Sequence, residues 1–209
     1  MDKPPIPDLL ANWHITAEEL SQIVAENPSM RGLMFGFVAE YKLKKEWLLR
    51  PGITNLLRPR SHDRKQKCDF TFDYRGTNVK IEVKCLDTPR VKFKDEVYEG
   101  TFQCNASDST EVTLPNGRKV TTNCLLVDGF DVLAVCLFAF GNKWQFAFAR
   151  NRDLPRTTWR GYTPAQQKYL LKSAMKISWP LRPPYVSDLF GLLDGLVAER
   201  VARGTLHKN

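Results

Sequence analysis

Two acidic residues and a lysine have the types and the spacing that metal-assisted hydrolysis requires. Asp69 is followed, after twelve intervening residues, by Glu82-Val83-Lys84. Glu82 and Lys84 are two positions apart in a segment that alternates apolar and charged residues, so both side chains leave a β-strand on the same side. Asp69 begins the preceding alternating segment. An antiparallel hairpin between the two segments would bring its carboxylate beside Glu82.

This grouping of charges predicts a metal-dependent reaction. Neighbouring carboxylates resist ionisation together unless a cation lies between them. Mg²⁺ suits such a site because it takes one or two carboxylates and keeps its other positions for water and phosphate. Lys84 can orient or deprotonate the attacking water, so we predict phosphodiester hydrolysis with Mg²⁺, for which Mn²⁺ can substitute. The alternative is that Glu82 and Lys84 form an ion pair on the solvated face of an edge strand.

The pattern of Asp69 followed by Glu82-Val83-Lys84 resembles the signature of the PD-(D/E)XK nuclease superfamily. Cys68 stands where that signature usually has a proline. The resemblance covers roughly the first half of the chain. It implies a restriction-endonuclease-like fold, in which helices flank a mixed central β-sheet. It also implies that Asp69 and Glu82 bind the metal and that Lys84 is catalytic.

Glu40 is a fourth candidate because it interrupts an apolar stripe at helical spacing, formed by Leu33, Phe37, Tyr41 and Leu48. Members of the superfamily often carry an acidic residue on the helix before the hairpin. The resemblance therefore implies that Glu40 is both catalytic and a metal ligand. Asp73, on the same strand face as Asp69, is an alternative ligand, and Gln103 is a further candidate near the metal.

Periodicity and capping signals predict the elements that would position these residues. One helix is expected over Asn12–Glu26, with Thr16 as its N-cap, and a second from Ser29 to about Leu49. The hairpin comprises Asp69–Arg75 and Val79–Lys84. Three further strands are expected at Thr101–Asn105, Asp131–Phe140 and Lys143–Ala149. Two closing helices are expected at Thr163–Ile177 and Ser187–Arg203. This order indicates an α/β or α+β sandwich with a mixed sheet.

The length of 209 residues suits one domain, which we expect to span residues 1–209. Its catalytic core is predicted at about 29–150 and its closing helices at 163–203. Within that core, about 86–124 has the character of an insertion for DNA recognition. That insertion starts with a charged loop at 86–100 and has a turn at Leu114–Gly117.

The composition favours a nucleic-acid partner inside the cell. The net charge is +8, from 31 basic and 23 acidic residues, and nucleic acid is the commonest acidic partner. The five cysteines are odd in number and form no CxxC pair, which argues against a zinc site or a disulfide framework. The N-terminal residues lack the apolar core of a signal peptide. We expect a cytoplasmic protein without a membrane partner.

The basic residues expected to contact double-stranded DNA fall in a loop before Asp69 and in the insertion: Arg58, Arg60, Arg64, Lys65, Lys67, Arg90, Lys92, Arg118 and Lys119. A small nuclease with its own recognition region is typical of a type II restriction endonuclease, acting as a homodimer. Two alternatives remain open. One is a DNA repair or recombination nuclease of the same fold, and the other is a non-catalytic DNA-binding protein.

The basic loop generates a first prediction. Replacing Arg58, Arg60, Arg64 and Lys65 with Ala should weaken binding to all DNA sequences about equally, because phosphate contacts carry no sequence information. The log–log salt dependence of binding to duplex DNA should flatten by roughly 0.9 units per lost contact. Titrations of labelled duplexes at several salt concentrations measure both effects. An unchanged slope would mean that the loop is solvated surface.

Overall fold

The computed structural model describes residues 7–59, 68–86 and 90–206, with side chains described as far as residue 203. The chain divides into two compact units, Met1–Val38 and Ala39–Asn209. The first unit contains α1 (Leu9–Trp13), α2 (Ala17–Glu26) and the start of α3 (Pro28–Leu43). Thr16 caps α2 as predicted, since its hydroxyl accepts the Glu19 N–H at 3.1 Å and the Glu19 carboxylate accepts the Thr16 N–H at 2.7 Å.

The second unit continues from the end of α3 into a π-helical turn at Lys44–Leu48. Its ten strands are β1 (Ile53–Leu57), β2 (Phe70–Tyr74), β3 (Thr77–Cys85), β4 (Lys92–Lys94), β5 (Val97–Gln103), β6 (Asn105–Thr113), β7 (Lys119–Cys124), β8 (Val132–Cys136), β9 (Phe146–Arg150) and β10 (Ala174–Trp179), counted over the described ranges. Its helices are a 3₁₀ turn at Asn151–Asp153, α4 (Pro164–Gln167) and α5 (Leu189–Leu206).

The central sheet has the order β1-β2-β3-β8-β9 and is mixed. The predicted β2–β3 hairpin is confirmed, with Phe70 opposite Ile81, and its turn has positive φ at Arg75 and Gly76. β8 is parallel to β3 and antiparallel to β9. All five residues of β8 are buried, as expected for a strand covered on both faces. A mixed central sheet with a few helices confirms the α+β class.

Two smaller sheets complete the second unit, and the sequence predictions there were partly wrong. β10, β5 and β4 form a three-stranded sheet, and β6 and β7 form a hairpin across the predicted Leu114–Gly117 turn. Residues 86–100, expected to be loop, include β4 and the start of β5. The predicted helix Thr163–Ile177 is helical only at Pro164–Gln167.

The last four residues of that predicted helix, 174–177, belong instead to β10, which pairs antiparallel with β5. Buried Met175 and Ile177 alternate there with exposed Lys176, which is the two-residue period of a strand. Pairing with a distant strand therefore outweighs the local helical preference. By contrast, the predicted closing helix at Ser187–Arg203 is confirmed as α5, which buries Leu189 and Leu193. Among the described residues, none of the helices has the length and apolar character to cross a bilayer.

Candidate active site

Asp69 is anchored at the start of β2 by two backbone contacts. Its N–H donates to the carbonyl of Ile81 at 3.0 Å, and its Oδ2 accepts the N–H of Val83 at 2.7 Å. The hairpin register pairs Phe70 with Ile81, so continuing it places Asp69 opposite Glu82. The side chain is therefore held toward β3 by the backbone of the strand that carries Glu82 and Lys84.

Glu82 and Lys84 lie on the third of the five strands of the central sheet. Lys84 Nζ is 2.7 Å from Glu82 Oε1, and the two side chains are 20% and 9% exposed. Their register partners on β8 are Val135 and Leu133, which are fully buried. The ion pair of the alternative prediction therefore exists, but it is not on the solvated face of an edge strand, because β3 is central and both side chains are mostly buried.

Glu40 lies near the end of α3 and pairs with Arg58, which follows β1. Its side chain is 14% exposed. The apolar stripe from which it was predicted is not the buried face: Tyr41 is 60% exposed, and the helix buries Ala39 and Leu43 instead. Glu40 thus stands next to the buried face, where the side chain of Arg58 reaches it across the surface.

The charges of this cluster act on one another. Burial, and then the charge on Asp69, raises the pKa of Glu40 to about 7, against the opposing effects of Arg58 and Lys84. Burial also raises the pKa of Asp69, although its bond from Val83 N–H works the other way. The pKa of Glu82 is raised by burial and by Asp69 despite the adjacent Lys84.

Lys84 remains a cation in this setting. Burial alone would lower its pKa, but Glu82 and Asp69 more than offset that and raise it. The cluster therefore combines three carboxylates with two permanent cations, Lys84 and Arg58. Its carboxylates still carry raised pKa values, so an additional cation would favour their ionised forms.

The donor set fits Mg²⁺ in a limited way. Carboxylate oxygens are the ligands that this ion prefers, and it often takes only one or two from the protein. Within the residues that the structure describes, no three His, Cys, Asp or Glu side chains are arranged to hold one ion together. Asp69 and Glu82, opposite each other on the hairpin, are the pair best placed to share a cation with water and phosphate.

The structure separates the other predicted residues from this cluster. Both Asp73 oxygens accept hydrogen bonds from amides, those of Asn55 at 2.7 Å and Asn78 at 2.9 Å, which gives Asp73 a structural role. Gln103 lies exposed on β5, in the second sheet, opposite Ala174.

The predicted DNA contacts are similarly dispersed. Arg90 lies just before β4, and Lys92 is the first residue of that strand. Arg118 and Lys119 follow the β6–β7 turn. Lys119 is engaged by Glu111 at 2.8 Å. Four predicted residues lie outside the described part of the chain: Arg60, Arg64, Lys65 and Lys67.

Two features of the site were missed from the sequence. Arg58 was predicted as a phosphate contact, yet it is the partner of Glu40. The backbone N–H of Val83 orients Asp69, and the hairpin register could have suggested this because it places the two residues on facing strands.

No protein-family model, curated protein or solved structure matches the chain. The function therefore has to be inferred from the site itself.

The raised pKa values generate a prediction about stability. A carboxyl group whose pKa is higher in the folded than in the unfolded state stabilises the fold fully below the unfolded value, and that contribution is lost as the pH rises through the folded value. For Glu40 this window runs from 4.5 to about 7. The free energy of unfolding should therefore fall from pH 5 to pH 8, and Glu40→Gln should reduce the fall by on the order of 1 kcal/mol.

Urea unfolding at pH 5 and pH 8, with and without Mg²⁺, measures this effect. Added Mg²⁺ should restore stability at pH 8 and have little effect at pH 5, where the carboxyl groups are protonated. Glu111→Gln is the control, since Glu111 pairs with Lys119 in the β6–β7 hairpin away from the cluster. A pH profile that Glu40→Gln and Glu111→Gln change equally would contradict the assignment.

Proposed function

We propose that this protein is a Mg²⁺-dependent endonuclease that hydrolyses phosphodiester bonds of double-stranded DNA. The observation that carries the proposal is the buried Glu82–Lys84 pair on the central strand, with backbone-anchored Asp69 opposite it. Two charged groups are costly to bury and contribute little to stability on their own. Their position under a covered sheet face, among further carboxylates with raised pKa values, is typical of a catalytic centre.

The element order supports a restriction-endonuclease-like fold of the PD-(D/E)XK kind. α3, which carries Glu40, comes first, and the β2–β3 hairpin with Asp69, Glu82 and Lys84 follows. This is the order that the resemblance implies: a helix with an acidic residue, and then a hairpin with the three signature residues. The mixed central sheet agrees with the same proposal.

Each residue has a role in the proposed reaction that its contacts support. Asp69 and Glu82 would hold the metal, with Asp69 oriented by Val83 N–H. When bound, Mg²⁺ supplies stabilisation of phosphate charge and a more acidic water. Lys84, kept protonated by its neighbours, donates to the phosphate or the attacking water rather than removing a proton. Glu40 is the third carboxylate of the cluster, paired with Arg58 at its more exposed side, and would accept the proton of the water.

The most specific form of the proposal is a type II restriction endonuclease. The exposed β6–β7 hairpin, with Arg118 beside its turn and several Ser and Thr side chains, would supply groups that contact base edges. Discrete fragments from plasmid DNA with Mg²⁺ or Mn²⁺ would support this form. Cleavage of branched or damaged DNA alone would indicate a repair or recombination nuclease, and binding without cleavage would indicate a non-catalytic protein. The proposal retains the cytoplasmic location predicted from the sequence.

The roles of the carboxylates and the lysine generate a prediction. Asp69→Asn and Glu82→Gln should each abolish detectable cleavage, because each removes a charge that the metal requires, while both variants still bind DNA. Asp73→Asn is the matched control: Asp73 is on the same strand but bonded to Asn55 and Asn78, and its variant should retain cleavage. Plasmid nicking and linearisation provide the measurement.

Lys84 completes this test because its ammonium group contacts Glu82 and, having no lone pair, cannot itself be a metal ligand. Lys84→Met should lose turnover while binding Mg²⁺ or Mn²⁺ at least as tightly as the original chain, as calorimetry can measure. Metal affinity lost to the same degree as in Asp69→Asn would contradict the role given to Lys84. Cleavage by Asp69→Asn at the original rate would refute the centre as a whole.

The number of centres generates a further prediction. One cluster hydrolyses one phosphodiester bond, so cutting both strands requires two centres or two visits, and we propose a two-fold symmetric homodimer on DNA. The apolar stripe of α5 is not free for that contact, because Leu189 and Leu193 are fully buried within the chain. Ultracentrifugation with a cleavable duplex in Ca²⁺ should give two chains per duplex. One chain per duplex, with products nicked in a single strand, would exclude the dimer.

A further inference from the structure

A groove of about 330 Å³ lies over the three-stranded sheet of β10, β5 and β4. Its walls carry four basic side chains, Arg90, Lys92, Lys176 and Arg182, against one acidic side chain, Glu99. We propose that this groove binds the phosphodiester backbone of one DNA strand as a contact separate from the Glu82 centre. This inference rests on the proposed function for its substrate and adds where that substrate is held.

The basic side chains come together through strand pairing. Lys92 on β4 is opposite Glu99 on β5, and Lys176 on β10 is opposite Thr101 on β5, so both lysines lie on one face of the sheet. Arg182, in the segment after β10, also lines the groove and adds a third charge. All three are exposed, and the structure gives none of them an ion pair with another described residue. Uncompensated positive charges on one face favour a polyanion.

The sheet that carries the groove is closely packed on its inner side. Tyr185 packs edge-on against Phe102 with ring centroids 6.3 Å apart, and its hydroxyl donates to Met175 Sδ at 3.8 Å. Gly100 allows the close packing beneath: a Cβ there would lie 3.0 Å from both Leu86 and Phe140. The basic residues are therefore mounted on a preorganised surface, which lowers the entropic cost of binding.

The size and position of the groove indicate which part of DNA it accepts. Its volume is near the lower end of the range for small-ligand pockets, so it suits a short run of phosphates and sugars from one strand, not a whole duplex. On β5, buried Phe102 points into the core whereas Glu99 is exposed, so the groove is on the outer face of this sheet. The sheet is joined to β3 by the pairing of Leu86 with Phe102, two residues beyond Lys84. The groove is therefore on a sheet that is paired with the continuation of β3, and it would hold DNA without taking part in the chemistry.

The test compares DNA affinity between two triple variants in EDTA. Lys92→Ala, Lys176→Ala and Arg182→Ala together should weaken binding of a labelled duplex about tenfold at 0.1 M salt, and should flatten the log–log salt slope by up to roughly 0.9 units per lost contact. Lys143→Ala, Arg160→Ala and Lys168→Ala form the control, because they remove the same charges from exposed positions outside the groove. Equal effects of the two triple variants would overturn the proposal.

Two further measurements sharpen the test. Glu99→Gln should tighten DNA binding severalfold, since it removes the one acidic side chain in the groove, and no gain in affinity would count against the proposal. Poly-glutamate should compete poorly with DNA at equal charge. If it competes equally well, the groove binds polyanions in general and is not a DNA site. Plasmid cleavage is scored separately. Groove-dependent binding without cleavage in any divalent metal would refute only the nuclease, and cleavage with unchanged affinity of the groove variant would refute only the groove.

Discussion

The ion pair between Glu82 and Lys84 is the interaction on which the rest of the candidate site depends. It lies on the central strand, beside the buried Leu133 and Val135 of β8. Leaving either charge without its partner there would cost several kcal/mol, roughly 3–5 for a fully buried pair. Asp69 has a fixed orientation beside this pair, because the Val83 N–H donates to its Oδ2. The charged side chains can be buried here because each has a partner: Glu82 pairs with Lys84, and Asp69 accepts the Val83 N–H.

A pair of this kind is a weak means of stabilising a fold, since apolar residues of similar volume serve that purpose as well or better. The same geometry is useful where negative charge has to be bound and then released. Glu40 and Arg58 form a second, more exposed pair beside the first. The two pairs give the cluster an inner part that is largely buried and an outer part that is more exposed to solvent.

Local patterns in the sequence predicted the parts of the fold that depend on neighbours. The β2–β3 hairpin, the buried strand β8 and the capped start of α2 follow from alternation, apolar content and a capping box, all of which act over a few residues. The strand β10 was missed because its partner, β5, is some seventy residues earlier in the chain. With β10 taken as helix, Lys176 could not be grouped with Lys92, so the basic groove was not foreseen either.

The candidate centre was predicted more fully than its surroundings. Asp69, Glu82 and Lys84 follow from a register that the hairpin turn determines. Glu40 was selected from a stripe that is not the buried face of its helix, and its link to the cluster runs through charge and through Arg58. A single sequence contains no signal for that pairing, because the two residues belong to elements whose packing depends on the whole sheet.

The parallel pairing of β3 with β8 has a consequence for how the protein matures. Parallel neighbours require a long crossover, and here the crossover comprises residues 86–131. Pairing over such a separation carries a large loop-closure entropy and is slow compared with hairpin formation. During synthesis, β3 can pair with β2 well before β8 has been made. We expect the nascent chain to hold Glu82 and Lys84 in water until the second half of the chain has folded over them.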